Sequence, residues 1–245
     1  MLLRLEKVAR SYGDRLIFKD VDFALAPGEA VLLLGRNGAG KSTLMQIMAG
    51  LLPPSAGSVT VKDGARLGRI GHQGCIYPRL SALENLLFWS ALNNRPTSDS
   101  QALKALEEVE LAAFADEPAA SFSRGMAQRL DLARVFLLEP DILLLDEPAT
   151  GLDTRSTAML HAAVHAARRR GVGIVWITHS PETDSQHADR VVRLEKKRLL
   201  AGPPESPQDG TPSIPQGGAS TVSLSANPIA SGQNDSPASA AEGAS

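Results

Sequence analysis

The chain has 245 residues, 43% hydrophobic and 21% charged, a composition typical of a globular protein with one sizeable core. Its net charge of −2 gives no basis for nucleic-acid binding, and its single cysteine, Cys75, excludes an intramolecular disulfide and favours a reducing compartment. No segment approaches the ~18 consecutive apolar residues of a membrane-spanning helix, so we expect a soluble chain whose membrane channel, if one is needed, comes from another chain.

The first elements in chain order are two predicted strands, Leu2–Ala9 and Arg15–Leu25, joined by a turn at Gly13-Asp14. They predict an N-terminal antiparallel β subdomain. Ala30–Leu34 is a short unbroken apolar run, which is typical of a strand buried on both faces of a mostly parallel sheet. A helix is predicted from Lys41 to about Ala49.

The segment from about residue 81 to residue 140 is predicted to be helical. Ser81 and Glu84 form a capping box, and another helix is expected to begin near Ser123. Beyond this insertion we predict a strand, a helix and a strand, at Ile142–Asp146, Thr154–Arg170 and Gly173–Thr178. The alternation predicts an α/β fold over residues 1–202, with a nucleotide-binding core that carries a helical subdomain.

The last 43 residues, 203–245, differ in composition from the rest of the chain. All 25 basic residues and 23 of the 27 acidic residues precede them, which leaves residues 1–202 with a net charge of +2. The segment is rich in Pro, Gly, Ser and Ala and has no aromatic residue. It offers too little apolar area to offset the entropy of ordering, so we predict a disordered tail.

A glycine-rich loop lies directly between the buried strand and the first helix. Its pattern, Gly35-x-x-x-x-Gly40-Lys41-Ser42, is that of a P-loop, in which backbone N–H groups cradle phosphate oxygens at a helix N-terminus. Lys41 is expected to reach the β- and γ-phosphates and Ser42 to bind Mg²⁺. The predicted nucleotide contacts in this loop are Gly35, Arg36, Asn37, Gly38, Ala39, Gly40, Lys41, Ser42 and Thr43.

Two carboxylates end the apolar strand Ile142–Asp146. Buried carboxylates are costly unless they face a cation or a positive dipole, so this strand end is expected beside the P-loop. Asp146 is then the partner of Mg²⁺, and Glu147 is placed to act as general base toward the attacking water. Together the two motifs predict a P-loop NTPase, whose core resembles the RecA-like fold.

Further motifs resemble those of ABC transporter ATP-binding subunits. Phe122-Ser123-Arg124-Gly125-Met126 resembles the signature Leu-Ser-Gly-Gly-Gln, with Ser123 and Gly125 matching; taken alone, Ser-x-Gly is more often simply a helix cap. The remaining matches are the A-loop aromatic Tyr12, which would stack on adenine, the Q-loop Gln73, the D-loop Asp153 and the H-loop His179. Seven motifs in the family's order cover residues 1 to about 201.

The resemblance implies an ATP-hydrolysing motor that works in pairs. Each ATP would lie between the P-loop of one subunit and Ser123 and Gly125 of the other, with Glu147, His179 and Gln73 catalytic and with Ser42, Gln73 and Asp146 around Mg²⁺. The partners would be a second copy of the chain and separate integral membrane subunits, at the cytoplasmic face of the cell membrane. Alternatives are a soluble ABC ATPase of DNA repair or translation and a nucleotide sensor without turnover.

The cargo is approached only through resemblance. The short stretch from Lys41 to Gln73 and the run Ile70-Gly71-His72-Gln73 resemble the ATP-binding subunit of the haem exporter of cytochrome c biogenesis. Arg124 and Met126 resemble exporters of drugs, polysaccharides or lipids instead. We expect haem export, with these exporters as the alternative.

Two histidine-containing groups could suggest metal sites. His72 and Cys75 lack a third ligand, so they are predicted to be loop residues. His161 and His165 lie one helical turn apart with no carboxylate on their face of the helix, so we predict surface or packing residues.

Overall fold

The computed structural model describes residues 1–71 and 74–202. The predicted Q-loop residue Gln73 and the predicted disordered tail, residues 203–245, lie outside the described residues.

The described residues form nine strands and six α-helices. The strands are β1 Leu3–Tyr12, β2 Arg15–Leu25, β3 Ala30–Leu34, β4 Ala56–Val61, β5 Leu67–Ile70, β6 Ile142–Asp146, β7 Gly173–Ile177, β8 Arg190–Glu195 and β9 Arg198–Ala201. The helices are α1 Lys41–Met48, α2 Ala82–Leu92, α3 Asp99–Glu108, α4 Arg124–Leu137, α5 Thr154–Arg169 and α6 Pro181–Asp184. The predicted α/β fold is confirmed.

The N-terminal hairpin belongs to a three-stranded antiparallel sheet of order β2-β1-β4. Its turn lies at Gly13, where φ is +54°, as the sequence predicts. β1 continues to Tyr12, three residues beyond the predicted end, because Ser11 and Tyr12 still pair with Leu16 and Arg15. Strand β4, five of whose six residues are exposed, was not predicted from the sequence.

The second sheet has six strands in the order β5-β6-β7-β3-β8-β9, all parallel except β9. Every residue of β3, β6 and β7 is buried, since helices or the other sheet cover both faces. Leu33 and Leu144 pack in the cluster that includes Leu44 of α1. Leu32 and Leu143 pack on the opposite face, with Leu160 of α5.

The topology brings three loops to one edge of this sheet. β6, β7 and β3 are adjacent and parallel, so the segments that follow them leave the sheet side by side at its carboxyl edge. This edge is where open α/β sheets bind ligands. The segment after β3 is the P-loop, the one after β6 begins with Glu147, and the one after β7 contains His179.

Helices α2, α3 and α4 pack around their own apolar cluster, which includes Leu86, Leu106 and Leu130. The predicted capping box at the start of α2 is present: Ser81 Oγ accepts from the Glu84 amide and the Glu84 carboxylate accepts from the Ser81 amide. No helix within the described residues is long and apolar enough to span a bilayer.

Candidate functional site

The loop between β3 and α1 adopts a conformation that requires glycine. Gly35 and Gly40 have φ values of +147° and +104°. A Cβ atom would lie 2.6 Å from the Leu194 carbonyl oxygen at the first position and 2.5 Å from a methyl group of Ile17 at the second. Left-handed backbone and close approach both exclude larger residues, so the loop can hold its backbone groups around a ligand. Gly40 is the N-cap of α1, and no side chain caps this end of the helix.

Lys41 places its ammonium group inside this loop. Nζ donates to the carbonyl oxygens of Gly35 at 2.7 Å and of Arg36 at 3.2 Å. Burial lowers the pKa of Lys41, and the negative charges of Glu147 and Asp146 oppose this shift. The P-loop cation and the two carboxylates therefore share one electrostatic environment, as the sequence predicts for the end of β6.

Glu147 and His179 meet at the carboxyl edge of the sheet. The imidazole Nε2 lies 2.6 Å from the carboxylate Oε1. Glu147 is held in the left-handed region, with φ of +56°, while its amide donates to the Ile177 carbonyl oxygen at 3.0 Å. A non-glycine residue in this region costs of order 1 kcal/mol or more and occurs preferentially at functional sites. This strain is a feature that the residue types alone do not predict.

A cavity of about 690 Å³ brings together most of the predicted nucleotide-site residues. It is lined by Tyr12, Arg15, Ile17, Asn37, Gly38, Gly40, Lys41, Ser42, Thr43, Glu147 and His179. Sequence reasoning missed Arg15 and Ile17; their position at the start of β2, across the hairpin turn from Tyr12, was the available signal. Asp146 is buried at the end of β6, directly before Glu147.

Tyr12 lies at the rim of the cavity and is 48% exposed. The guanidinium of Arg10 lies 4.5 Å from the centroid of its ring, and Arg10 also donates to the Pro53 carbonyl oxygen. This cation–π contact orients the ring on the hairpin.

Six predicted contacts do not line this cavity: Gly35, Arg36 and Ala39 of the P-loop itself, and Ser123, Gly125 and Asp153 from elsewhere in the chain. Ser123 caps α4, with its hydroxyl accepting from the Met126 amide at 3.2 Å. Asp153 caps α5, with Oδ1 accepting from the Ser156 amide at 2.7 Å, and this bond lowers the pKa of Asp153. Ser123 and Asp153 thus have local helix-capping roles in the described chain.

A second cavity, of about 300 Å³, lies between the start of α4 and the end of β6. Arg124 and Gln128 line one part of it and Glu147 lines another. Glu147 therefore borders both the P-loop cavity and the helix that carries the signature-like residues. An added Cβ at Gly125 would meet only the Gly151 carbonyl oxygen, at 4.0 Å, so this position is open.

The histidine pair of α5 has partners that helical spacing did not reveal. Within the described part of the chain, no group of three or more His, Cys, Asp or Glu residues could hold a metal ion, and Cys75 is exposed. Helix α5 carries no carboxylate beside His161, as predicted, but Asp184 of the neighbouring helix α6 supplies one, with Oδ1 3.0 Å from His161 Nε2. His165 Nε2 lies 2.8 Å from His187 Nδ1.

Comparisons with known proteins place this geometry in a family. The family model described as "ABC transporter" matches residues 18–150. The chain is 37% identical over 207 residues to a zinc import ATP-binding protein of Pseudomonas fluorescens (strain Pf0-1), covering 83% of this chain and 77% of that protein. It is 40% identical over 178 residues to the cytochrome c biogenesis ATP-binding export protein CcmA of Rhodopseudomonas palustris (strain HaA2), covering 69% of this chain and 87% of that protein.

A third relative is the linearmycin resistance ATP-binding protein LnrL of Bacillus subtilis (strain 168), 30% identical over 212 residues, with 82% of this chain and 68% of that protein covered.

Solved structures agree with this assignment. An ATP-binding subunit of an ABC transporter is 28% identical, with a TM-score of 0.74 and coverage of 81% of this chain and 88% of that chain. A bacterial ABC transporter cassette, solved as a dimer, is 25% identical, with a TM-score of 0.73 and coverage of 81% and 96%. The P-loop cavity, the sheet order and these matches lead to one conclusion: the chain belongs to the ABC transporter family, as an ATP-binding subunit.

Proposed function

We propose that the cavity of the P-loop binds Mg²⁺-ATP and hydrolyses it, and that the chain powers export through separate membrane subunits at the cytoplasmic face of the cell membrane. The single observation that carries the proposal is the convergence of Lys41, Glu147 and His179 on one cavity. A cation inside a glycine-built loop suits phosphate oxygens, and a carboxylate held by an imidazole suits the activation of water.

The chain's own groups fit the nucleotide. The P-loop turns its backbone toward the N-terminus of α1, which no side chain caps, so its N–H groups can receive phosphate oxygens. Lys41 would leave its carbonyl partners for the β- and γ-phosphates. Tyr12 would stack on the base at the rim.

The metal would be held by the Ser42 hydroxyl and, from the end of β6, by Asp146, with Gln73 as a further proposed ligand. A bound Mg²⁺ would supply charge neutralisation on the phosphate oxygens. Glu147 would then accept a proton from the attacking water, while His179 holds the Glu147 carboxylate through its Nε2 contact.

A second copy of the chain would complete each site. Ser123, Gly125 and Asp153 belong to the proposed nucleotide contacts, yet they do not line the P-loop cavity of their own chain. The capping hydroxyl of Ser123 and the open position at Gly125 leave this end of α4 suited to the phosphates of a nucleotide bound to the partner copy. A relative of the same fold forms a dimer, which supports this arrangement.

For the cargo we propose haem, exported for cytochrome c biogenesis. The support is the 40% identity to the cytochrome c biogenesis export protein, 87% of whose length is matched. The similarity to the linearmycin resistance protein, together with Arg124 and Met126 in the signature segment, favours a second candidate, an exporter of drug-like or lipid-like compounds.

The test separates the two candidates in the source organism. The tagged full chain is purified from mild-detergent extracts and the co-purifying membrane proteins are identified, while a deletion strain is assayed for covalently haem-bound c-type cytochromes. Loss of these cytochromes, restored by wild type and not by Glu147→Gln, is the expected result. Intact cytochromes c together with the membrane subunits of a drug, lipid or polysaccharide exporter would overturn the haem proposal.

A further inference from the structure

A series of hydrogen-bonded side chains leads from the half-buried His161 of helix α5 to the residue before His179. Asp184, only 2% exposed, is its centre. One carboxylate oxygen accepts from the Thr178 hydroxyl, and the other lies 3.0 Å from His161 Nε2. The short helix α6 thereby joins α5 to the end of β7.

Thr178 in turn spans the backbone on either side of His179. Its hydroxyl oxygen accepts from the Ser180 amide at 2.9 Å, so it ties together the residues that flank the histidine. The backbone amide of Asp184 also holds this turn, because it donates to the Ser180 carbonyl oxygen at 3.1 Å. The imidazole of His179 itself is 53% exposed. Its position is therefore set by the turn rather than by packing of the ring.

His161, at the other end of this hydrogen-bonded series, is anchored in the core. The His161 ring packs at a tilt against Trp176, with ring centroids 5.5 Å apart, and against His187, with centroids 4.1 Å apart. Trp176 is buried within β7. A displacement of the His161–Asp184 contact would thus be transmitted along Thr178 to the turn that carries His179.

We propose that Asp184, through Thr178, is a positioning residue for His179, and that the contact between His179 and Glu147 in the hydrolytic site depends on it. This proposal rests on the proposed ATP hydrolysis. Asp184 does not line the P-loop cavity, so its influence is on the geometry of the base rather than on ATP binding.

The experiment compares variants of the purified full chain. Asp184→Ala removes both acceptors, and Thr178→Val removes only the hydroxyl while keeping a β-branched side chain. Each is expected to lower kcat by about ten- to hundredfold, the scale of a slightly misplaced catalytic group, with the Kd for ATP within about twofold of wild type. Asp184→Asn keeps an oxygen for Thr178 and an amide for His161, so it should restore most of the rate. The matched control is Glu182→Gln, which changes an exposed carboxylate on the same short helix.

Two readouts distinguish positioning from a general effect on folding. The first is a double variant: in a His179→Ala background, Asp184→Ala should cause no further loss of rate. The second is the ¹⁵N-histidine spectrum, in which the His179 ring signal should be shifted in Thr178→Val but should keep its wild-type position in Asp184→Asn. Wild-type kcat in both Asp184→Ala and Thr178→Val, or an equal fold loss with and without His179, would overturn the proposal. Absence of phosphate release from wild type itself is distinguishable from these results, because it would overturn the proposed ATP hydrolysis on which this proposal rests.

Discussion

His179 Nε2 and Glu147 Oε1 lie 2.6 Å apart, at the ends of two adjacent parallel strands. Neither strand alone fixes this contact. The amide of Glu147 is hydrogen bonded to Ile177, so the left-handed turn of Glu147 is anchored on the strand that leads to His179. The carboxylate is thereby aimed across the sheet edge toward the cavity that also holds Lys41.

Glu147→Gln should abolish hydrolysis and preserve ATP binding. The amide keeps the size of the side chain and can still contact His179, but it cannot accept a proton from water. We expect phosphate release to fall by at least about a hundredfold, the usual contribution of a general base. Phosphate release and equilibrium binding of ATP measure the two effects separately. Glu182→Gln is the control, and a Glu147→Gln enzyme with near wild-type turnover would contradict the assignment.

Gly40→Ala should destabilise the protein more than Gly38→Ala. Both positions have positive φ, so each substitution strains the backbone by about 1–2 kcal/mol. Only at Gly40 would the new methyl group also collide, at 2.5 Å with Ile17, which adds about 1–3 kcal/mol. The free energies of unfolding, measured by denaturant titration without nucleotide, should therefore differ. Equal losses in the two variants would show that the loop relaxes around Gly40.

The sequence predicted the elements whose patterns are strong and missed those that depend on tertiary contacts. Strands β3 and β6 were predicted with their correct bounds, because burial on both faces leaves an unbroken hydrophobic run in each: all five residues of β3 and the first four of β6, which ends at the buried Asp146. Strand β4 was missed because five of its six residues are exposed and it is held by pairing with β1. Residue spacing likewise could not bring Asp184 to His161, since the two are 23 positions apart and meet only when α6 packs beside α5.

Tyr12→Ala should weaken ATP binding without changing the affinity for inorganic tripolyphosphate. Base–aromatic stacking contributes about 1–3 kcal/mol, so we expect the Kd for ATP to rise by about 5- to 150-fold. The triphosphate has no base to stack and serves as the internal control. Tyr12→Phe keeps the ring and the contact with Arg10, and its Kd should remain close to that of wild type. Unchanged ATP binding by Tyr12→Ala would exclude the stacking role.

Asp141 should contribute to stability in a manner that depends on pH. The Arg66 amide and guanidinium donate to its carboxylate at 2.9 and 3.2 Å, and these bonds lower the pKa of Asp141. A carboxyl pKa that is lower in the folded state stabilises the protein above the unfolded-state pKa, and this stability is lost as the pH falls through the folded-state pKa. Wild type should therefore be more stable than Asp141→Ala at neutral pH, and the difference should shrink in acid.

Thermal unfolding between neutral and acidic pH measures this difference. Asp116→Asn, at an exposed turn before α4, is the control, and its difference from wild type should not vary with pH in the same way. A constant difference between wild type and Asp141→Ala at all pH values would mean that the carboxylate charge does not contribute.

Mixing two inactive variants should restore activity if each site is shared between two chains. Lys41→Ala removes the P-loop cation, while Gly125→Asp places a carboxylate where the partner's phosphates would bind, at a position with open space in the described chain. A mixed dimer contains one site built from the intact P-loop of one protomer and the intact signature segment of the other, and the other site carries both defects. With random pairing and independent sites, about a quarter of wild-type phosphate release should return. If turnover in the mixture never exceeds that of either variant alone, a shared and independently active site is excluded. Full activity of Gly125→Asp by itself would instead show that the signature segment is not part of the site.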